Sequence, residues 1–199
     1  MGQGQGKEKA LGALAALLLA LPAFAQFNPF SAVGRAVTTS MDVRTKAEVK
    51  NDAGISAGAS KRLLDDKKAE WSGVSVLVFA QHVVLAGAVK TGEVKKRVEE
   101  VVRRDKSIRS LKNELLVGDV ASLARDTALE GEINAKLTAA KGIHSVNMRW
   151  CATGGHVVLM GVALSQGEAT QAGGIVRGIK GVKSVTSDLR VAAKGAPGK

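Results

Sequence analysis

The chain has 199 residues, 45% of them hydrophobic and 24% charged, with a formal net charge of +11. That balance excludes a disordered chain and calls for a packed core. Two Trp, four Phe and no Tyr cannot readily build a stacking surface for bases or sugars, and one cysteine excludes an internal disulfide framework.

Lys7 and Lys9 precede the unbroken apolar run Ala10 to Leu21, and Pro22-Ala23-Phe24-Ala25 follows with the small-x-small pattern of a signal-peptidase site. The run is shorter than the roughly 20 apolar residues a spanning helix needs. Residues 1–25 are therefore expected to be a cleaved signal peptide, giving a periplasmic chain that begins at Gln26. No cysteine stands at the cleavage point, so no lipid anchor is expected. Residues 26–51 form an N-terminal extension.

A first unit is expected over 52–119. Asp52 reads as a helix N-cap, with Ile55, Ala59 and Leu63 as one apolar stripe. Val74, Val76 and Val78 then alternate as a strand, and Ala80-Gln81 turns the chain into a second strand starting at His82. Glu93 to Arg104 predicts a helix with Val94, Val98, Val101 and Val102 inward and four-apart charge pairs outward. Leu111, Asn113, Leu115 and Val117 close the unit as a last strand, and 120–125 reads as a linker.

A gap-free shift of 74 residues lays a second unit, 126–193, over the first. Asp126 meets Asp52, His156-Val157-Val158-Leu159 meets His82-Val83-Val84-Leu85, and Gly161 meets Gly87. Leu129, Ile133 and Leu137 give its first helix; Val185, Ser187, Leu189 and Val191 alternate in its last strand; 194–199 is a tail. Its first strand, read as Val146 to Cys151, fits better at a shift of 72, implying a two-residue length change on each side. The two glycines read as sites where helix and sheet approach too closely for a side chain.

Each unit is thus helix, strand, strand, helix, strand: an α+β fold of two tandem αββαβ modules, each with two helices on one face of a three-stranded mixed sheet. The charge is spread thinly, 13 basic against 10 acidic residues over 52–119 and 7 against 5 over 126–193. Such a balance favours acidic partners without defining a patch. No residue spacing suggests a metal site, a nucleophile with its base or a phosphate loop, so neither an enzyme nor a cofactor is expected. His144 reads as a loop residue, and Cys151 as a buried strand residue.

The helix-opening Asp52 and Asp126, the strand-ending glycines of Val83-Val84-Leu85-Ala86-Gly87 and Val157-Val158-Leu159-Met160-Gly161, and the closing Ile179-Lys180-Gly181-Val182-Lys183-Ser184-Val185 resemble the BON domain. Two copies behind a signal peptide resemble the dual-BON envelope proteins of Gram-negative bacteria. Some of these are soluble and osmotically inducible; others are lipid-anchored at the outer membrane and bind anionic phospholipid through the first helix of the second domain. The pre-domain segment Asp42-Val43-Arg44-Thr45 is closer to the anchored type. The resemblance implies a non-enzymatic protein of envelope maintenance, with Thr127, Ala128, Lys136 and Lys141 as the lipid-facing residues and Asp52, Asp126, Gly87 and Gly161 as structural ones. Ala128 stands where the anchored relatives carry an aromatic, and Glu130 and Glu132 add negative charge to that helix. The expected partner is an anionic phospholipid membrane, with envelope proteins as the alternative and nucleic acid disfavoured by export.

Overall fold

A computed structural model describes residues 41–68, 71–118 and 123–192. The expected signal peptide, its cleavage site and the tail lie outside these residues. Helix α1 (Lys46–Asp65) leads to strands β1 (Val74–Phe79) and β2 (His82–Val89), helix α2 (Gly92–Val102), and the collinear strands β3 (Ser110–Asn113) and β4 (Leu116–Val117). The second module repeats this order as α3 (Leu123–Ala139), β5 (Met148–Thr153), β6 (His156–Ala163), α4 (Gln166–Arg177) and β7 (Ser184–Val191).

Neither helix opens on its aspartate. Thr45 caps α1 in a reciprocal box with Glu48, so the helix begins six residues before Asp52. Helix α3 begins at Leu123, inside the segment expected to be a linker, and Asp126 lies in its first turn. Ile55, Ala59 and Leu63 do form the buried stripe of α1, as Ile133 and Leu137 do in α3.

In each module the first two strands pair antiparallel and the third joins β2 or β6 in parallel. The central strand therefore lies between an antiparallel and a parallel neighbour. Val74 pairs with Gly87 and Met148 with Gly161, so the 74-residue shift holds through both hairpins and no length change occurs. Val146 belongs instead to a short 3-10 turn, Ser145–Asn147. On α2 the surface pairing is more selective than four-residue spacing suggests: Arg103 bonds Glu99 at 2.6 Å, while Arg97 reaches back to Asp66 at the end of α1, also at 2.6 Å.

Val78, Val83 and Leu85 face α1 and α2; Trp150, Val157 and Leu159 face α3 and α4. The opposite faces of the two sheets are also apolar and lie against each other. Leu77, Phe79, Val84 and Ala86 meet Cys151, Val158, Met160 and Val162 in one buried, mostly apolar layer. The first two strands of each sheet are thus largely covered on both sides, while the third remains half exposed, and the two modules stack as four layers, α/β/β/α. Burying each large side chain of that layer contributes about 1.5–3 kcal/mol.

A strap tightens the stack. Val43 N–H donates to Asn147 Oδ1 at 3.0 Å, and Asn147 Nδ2 donates to the Met41 carbonyl at 2.9 Å, tying the chain before α1 to the second module. Asn147 is fully buried. Beside it Arg44, with its side chain 4% exposed, bonds Asp42 at 2.8 Å and Asp52 at 2.9 Å and lies 4.2 Å from the centre of the Phe79 ring. Burial disfavours the Arg44 charge, but the two carboxylates more than offset it, and its pKa is raised.

Candidate functional site

The residues expected to meet lipid lie on or just beyond α3. Thr127, Ala128 and Lys136 are exposed on the helix, and Lys141 is exposed just past its end. They do not form one cluster, since Ala128 and Lys136 stand about 12 Å apart along the axis at 1.5 Å per residue. Lys136 borders a shallow groove of about 410 Å³ between α3 and α4, lined also by Glu132, Ala135, Ala139, Ala140 and Ile175. The outer face of α3 is therefore mostly small and uncharged, with Lys136 and Glu132 on the groove. The helical face of the first module is different, exposing Lys46, Lys50, Lys61, Lys96 and Glu100.

Glu130 does not add charge to the outer face of α3. It is 8% exposed and turned toward the sheet, where Oε1 accepts from the Ala152 N–H at 2.8 Å. Burial, reinforced by the nearby Asp126 charge, pushes its pKa up to about 7 against the pull of that hydrogen bond. A raised carboxyl pKa means that between about pH 4.5 and 7 the folded chain keeps a proton the unfolded chain has released. Stability from this group therefore falls as pH rises through that window, by about 3 kcal/mol in all, and is flat above it. Glu130→Gln is expected to flatten this slope, so urea melts at pH 5 and pH 8 differ less for the variant than for the parent. Parallel profiles would show that Glu130 does not titrate in this range.

The two aspartates hold hairpins. Asp52 accepts from Ala80 N and Gln81 N, both at 2.7 Å. Those residues have φ of 51° and 65°, a left-handed pair that costs non-glycine residues energy and that the buried carboxylate offsets. Asp126 accepts from Gly154 N at 3.0 Å, where Gly154 and Gly155 take the same turn without strain. The aspartate-to-turn spacing of 28 residues recurs in both modules, which is the sequence signal that could have revealed this role.

Gly87 and Gly161 have φ of 111° and 128°. A Cβ at Gly87 would lie 2.0 Å from the Gly73 carbonyl oxygen, and one at Gly161 would lie 2.1 Å from that of Asn147. The crowding comes from the short 3-10 turns that lead into the neighbouring strands, not from an α-helix.

His144 is more than a loop residue: its N–H donates to Glu168 Oε1 at 2.6 Å, and its ring Nδ1 lies 3.1 Å from the same oxygen. Cys151 lies in the layer between the sheets, and burial pushes its thiol up to about 11, so it holds its proton at neutral pH. His82 and His156 start the central strands and meet Ser110 and Ser184 at 2.6 and 2.8 Å. Among the described residues no cluster of His, Cys, Asp and Glu could hold a metal, and no helix is long and apolar enough to cross a membrane.

The BON domain family model matches residues 51–119 and 125–193. A protein of Anaplasma centrale, encoded in the gshII 5' region, is 32% identical over 145 residues, covering 71% of this chain and 95% of that protein. Osmotically-inducible protein Y of Escherichia coli K12 is 30% identical over 145 residues, 70% of this chain and 72% of that one. Among solved structures, the C-terminal domain of CdsD, a structural protein of the type III secretion system of Chlamydia trachomatis, aligns over 71% of this chain and 67% of its own at 16% identity, with a TM-score of 0.30.

Proposed function

The chain belongs to the BON-domain family, and on that premise we propose that it is an exported, non-enzymatic protein of osmotic and envelope stress that meets anionic phospholipid membranes peripherally through the outer face of α3. The export rests on the signal-peptide pattern of residues 7–25, and the stress role on the similarity to osmotically-inducible protein Y. The membrane contact rests on one observation: α3 presents small side chains beside an apolar groove, with Lys136 and Lys141 at hand and Glu130 withdrawn into the protein. Ala128 contributes little apolar insertion, so the attraction is chiefly electrostatic, at roughly 1 kcal/mol per lysine near a charged surface.

Flotation of the full chain with phosphatidylglycerol vesicles tests this. Binding at about 0.05 M salt is expected to fall steeply at about 0.5 M, where the Debye length is several-fold shorter. Lys136→Glu is expected to weaken it further. Ala128→Trp is expected to strengthen binding and reduce its salt dependence, because an indole ring rests well at the interface. Binding indifferent to salt and to Lys136→Glu would remove α3 as the contact, and no flotation at either salt would favour a protein partner.

A further inference from the structure

Where the second module overhangs the first hairpin, Arg109 and Arg190 lie within electrostatic reach of each other and of His82. Arg190 on β7 reaches across the junction, its NH2 3.4 Å from the Phe79 carbonyl at the end of β1. Arg109 is anchored by its own N–H to the Gln81 carbonyl at 2.9 Å, one residue before Ser110. Ser110 Oγ in turn lies 2.6 Å from His82 Nδ1. Arg190 is half-buried and Arg109 exposed. Among the described residues neither guanidinium has a carboxylate within ion-pair distance. Asp52, whose charge is felt at both His82 and Arg190, is already held by Arg44, Ala80 N and Gln81 N, and Asp188, two residues before Arg190 on β7, pairs with Lys112.

We propose that Arg109, Arg190, His82 and Ser110 form an oxyanion site for a phosphate-class ligand at the junction of the two modules. His82 and Ser110 come from β2 and β3, Arg190 from β7, and Arg109, just before β3, is near enough for its charge to act on both His82 and Arg190; two guanidiniums with a hydroxyl and an imidazole suit a tetrahedral, multiply charged anion better than a planar carboxylate. The electrostatics agree: burial and then the charges of Arg190 and Arg109 hold the His82 pKa down against Asp52, and burial with Arg109 lowers that of Arg190. An anion relieves both. The second module supplies a built-in contrast. His156, Ser184 and Lys183 repeat the trio, with Lys183 N–H on the Gly155 carbonyl at 2.7 Å, but the position matching Arg190 is Leu116. The repeat explains three of the four groups, and Arg190 makes the first hairpin different.

The site does not depend on the membrane reading. Its test follows the two imidazoles by NMR in the full chain as inorganic phosphate is added, against sodium chloride at equal ionic strength. The His82 pKa is expected to rise saturably by about one unit, as an opposite charge within reach produces, while His156 moves less. Arg190→Gln is expected to abolish the His82 response, and Arg109→Gln to weaken it. Parallel, unsaturable shifts of both histidines, no phosphate-specific shift, or an unchanged response in Arg190→Gln would overturn the site. Vesicles identify the source of the phosphate once the site responds. Flotation on phosphatidic acid that is lost in Arg190→Gln assigns a lipid headgroup, and flotation that ignores Arg190 while free phosphate moves His82 assigns a soluble ligand.

Discussion

Arg44→Met is expected to destabilise the full chain by about 3–5 kcal/mol, lowering its thermal midpoint by roughly 10 °C. The guanidinium neutralises two carboxylates, Asp42 and Asp52, whose side chains are 3% and 5% exposed. Removing one partner of a buried charge network leaves the others desolvated and unpaired, which costs far more than the network's net contribution. Asp52 is bound to the strained Ala80-Gln81 turn, and Val43 beside Arg44 holds the strap to Asn147. The damage is therefore expected to spread to the junction, exposing Cys151 to thiol reagents faster than in the parent. Arg44→Lys is expected to recover only part of the loss, because a single ammonium cannot reproduce the bonds to both aspartates. A melt within a degree or two of the parent would show that the triad is dispensable.

Gly87→Val and Gly161→Val are each expected to cost about 3 kcal/mol. Two costs add: a β-branched residue at φ above 110°, and a Cβ about 2 Å from the backbone carbonyl that closes the 3-10 turn before the neighbouring strand. Gly131→Ala is the matched contrast, since nothing lies within 4 Å of its Cβ position on α3, and relief of the helix glycine penalty is expected to stabilise by up to about 1 kcal/mol. Denaturant midpoints of the full chain decide both. Unchanged midpoints for the valine variants would mean the backbone there relaxes freely.

Much of each module was legible because local periodicity and the 74-residue repeat point the same way. The valine stripe of α2, the hairpins at Ala80-Gln81 and Gly154-Gly155, and the closing strands are all short-range patterns. Helix starts were harder, because a buried aspartate mid-helix and an N-cap aspartate look alike in sequence; only the Thr45–Glu48 box separates them. Val146 continued an apparent alternation although its backbone is a 3-10 turn. Glu130 follows the buried Leu129 and reads as surface charge until the sheet is in place. The second apolar face was written in Leu77, Phe79, Val84 and Ala86, but sequence does not say what covers it. Of the candidate lipid residues, the sequence locates the helix; how its face divides into groove and edge depends on α4. Arg190 at the first hairpin follows from no repeat at all.

The back-to-back sheets separate the unit that was copied from the unit that folds. A lone module would return Leu77, Phe79, Val84 and Ala86, or their counterparts around Met160, to water. The first would also lose its strap to Asn147. Neither half is a finished globule, and a chain carrying one copy would have to cover its inner sheet face with a second molecule. Joining two copies makes that cover internal, and the inner face becomes free of any requirement for symmetry. This is how Cys151 can occupy the place that Leu77 holds in the first module, and how one module can lend an arginine to the other without receiving one in return.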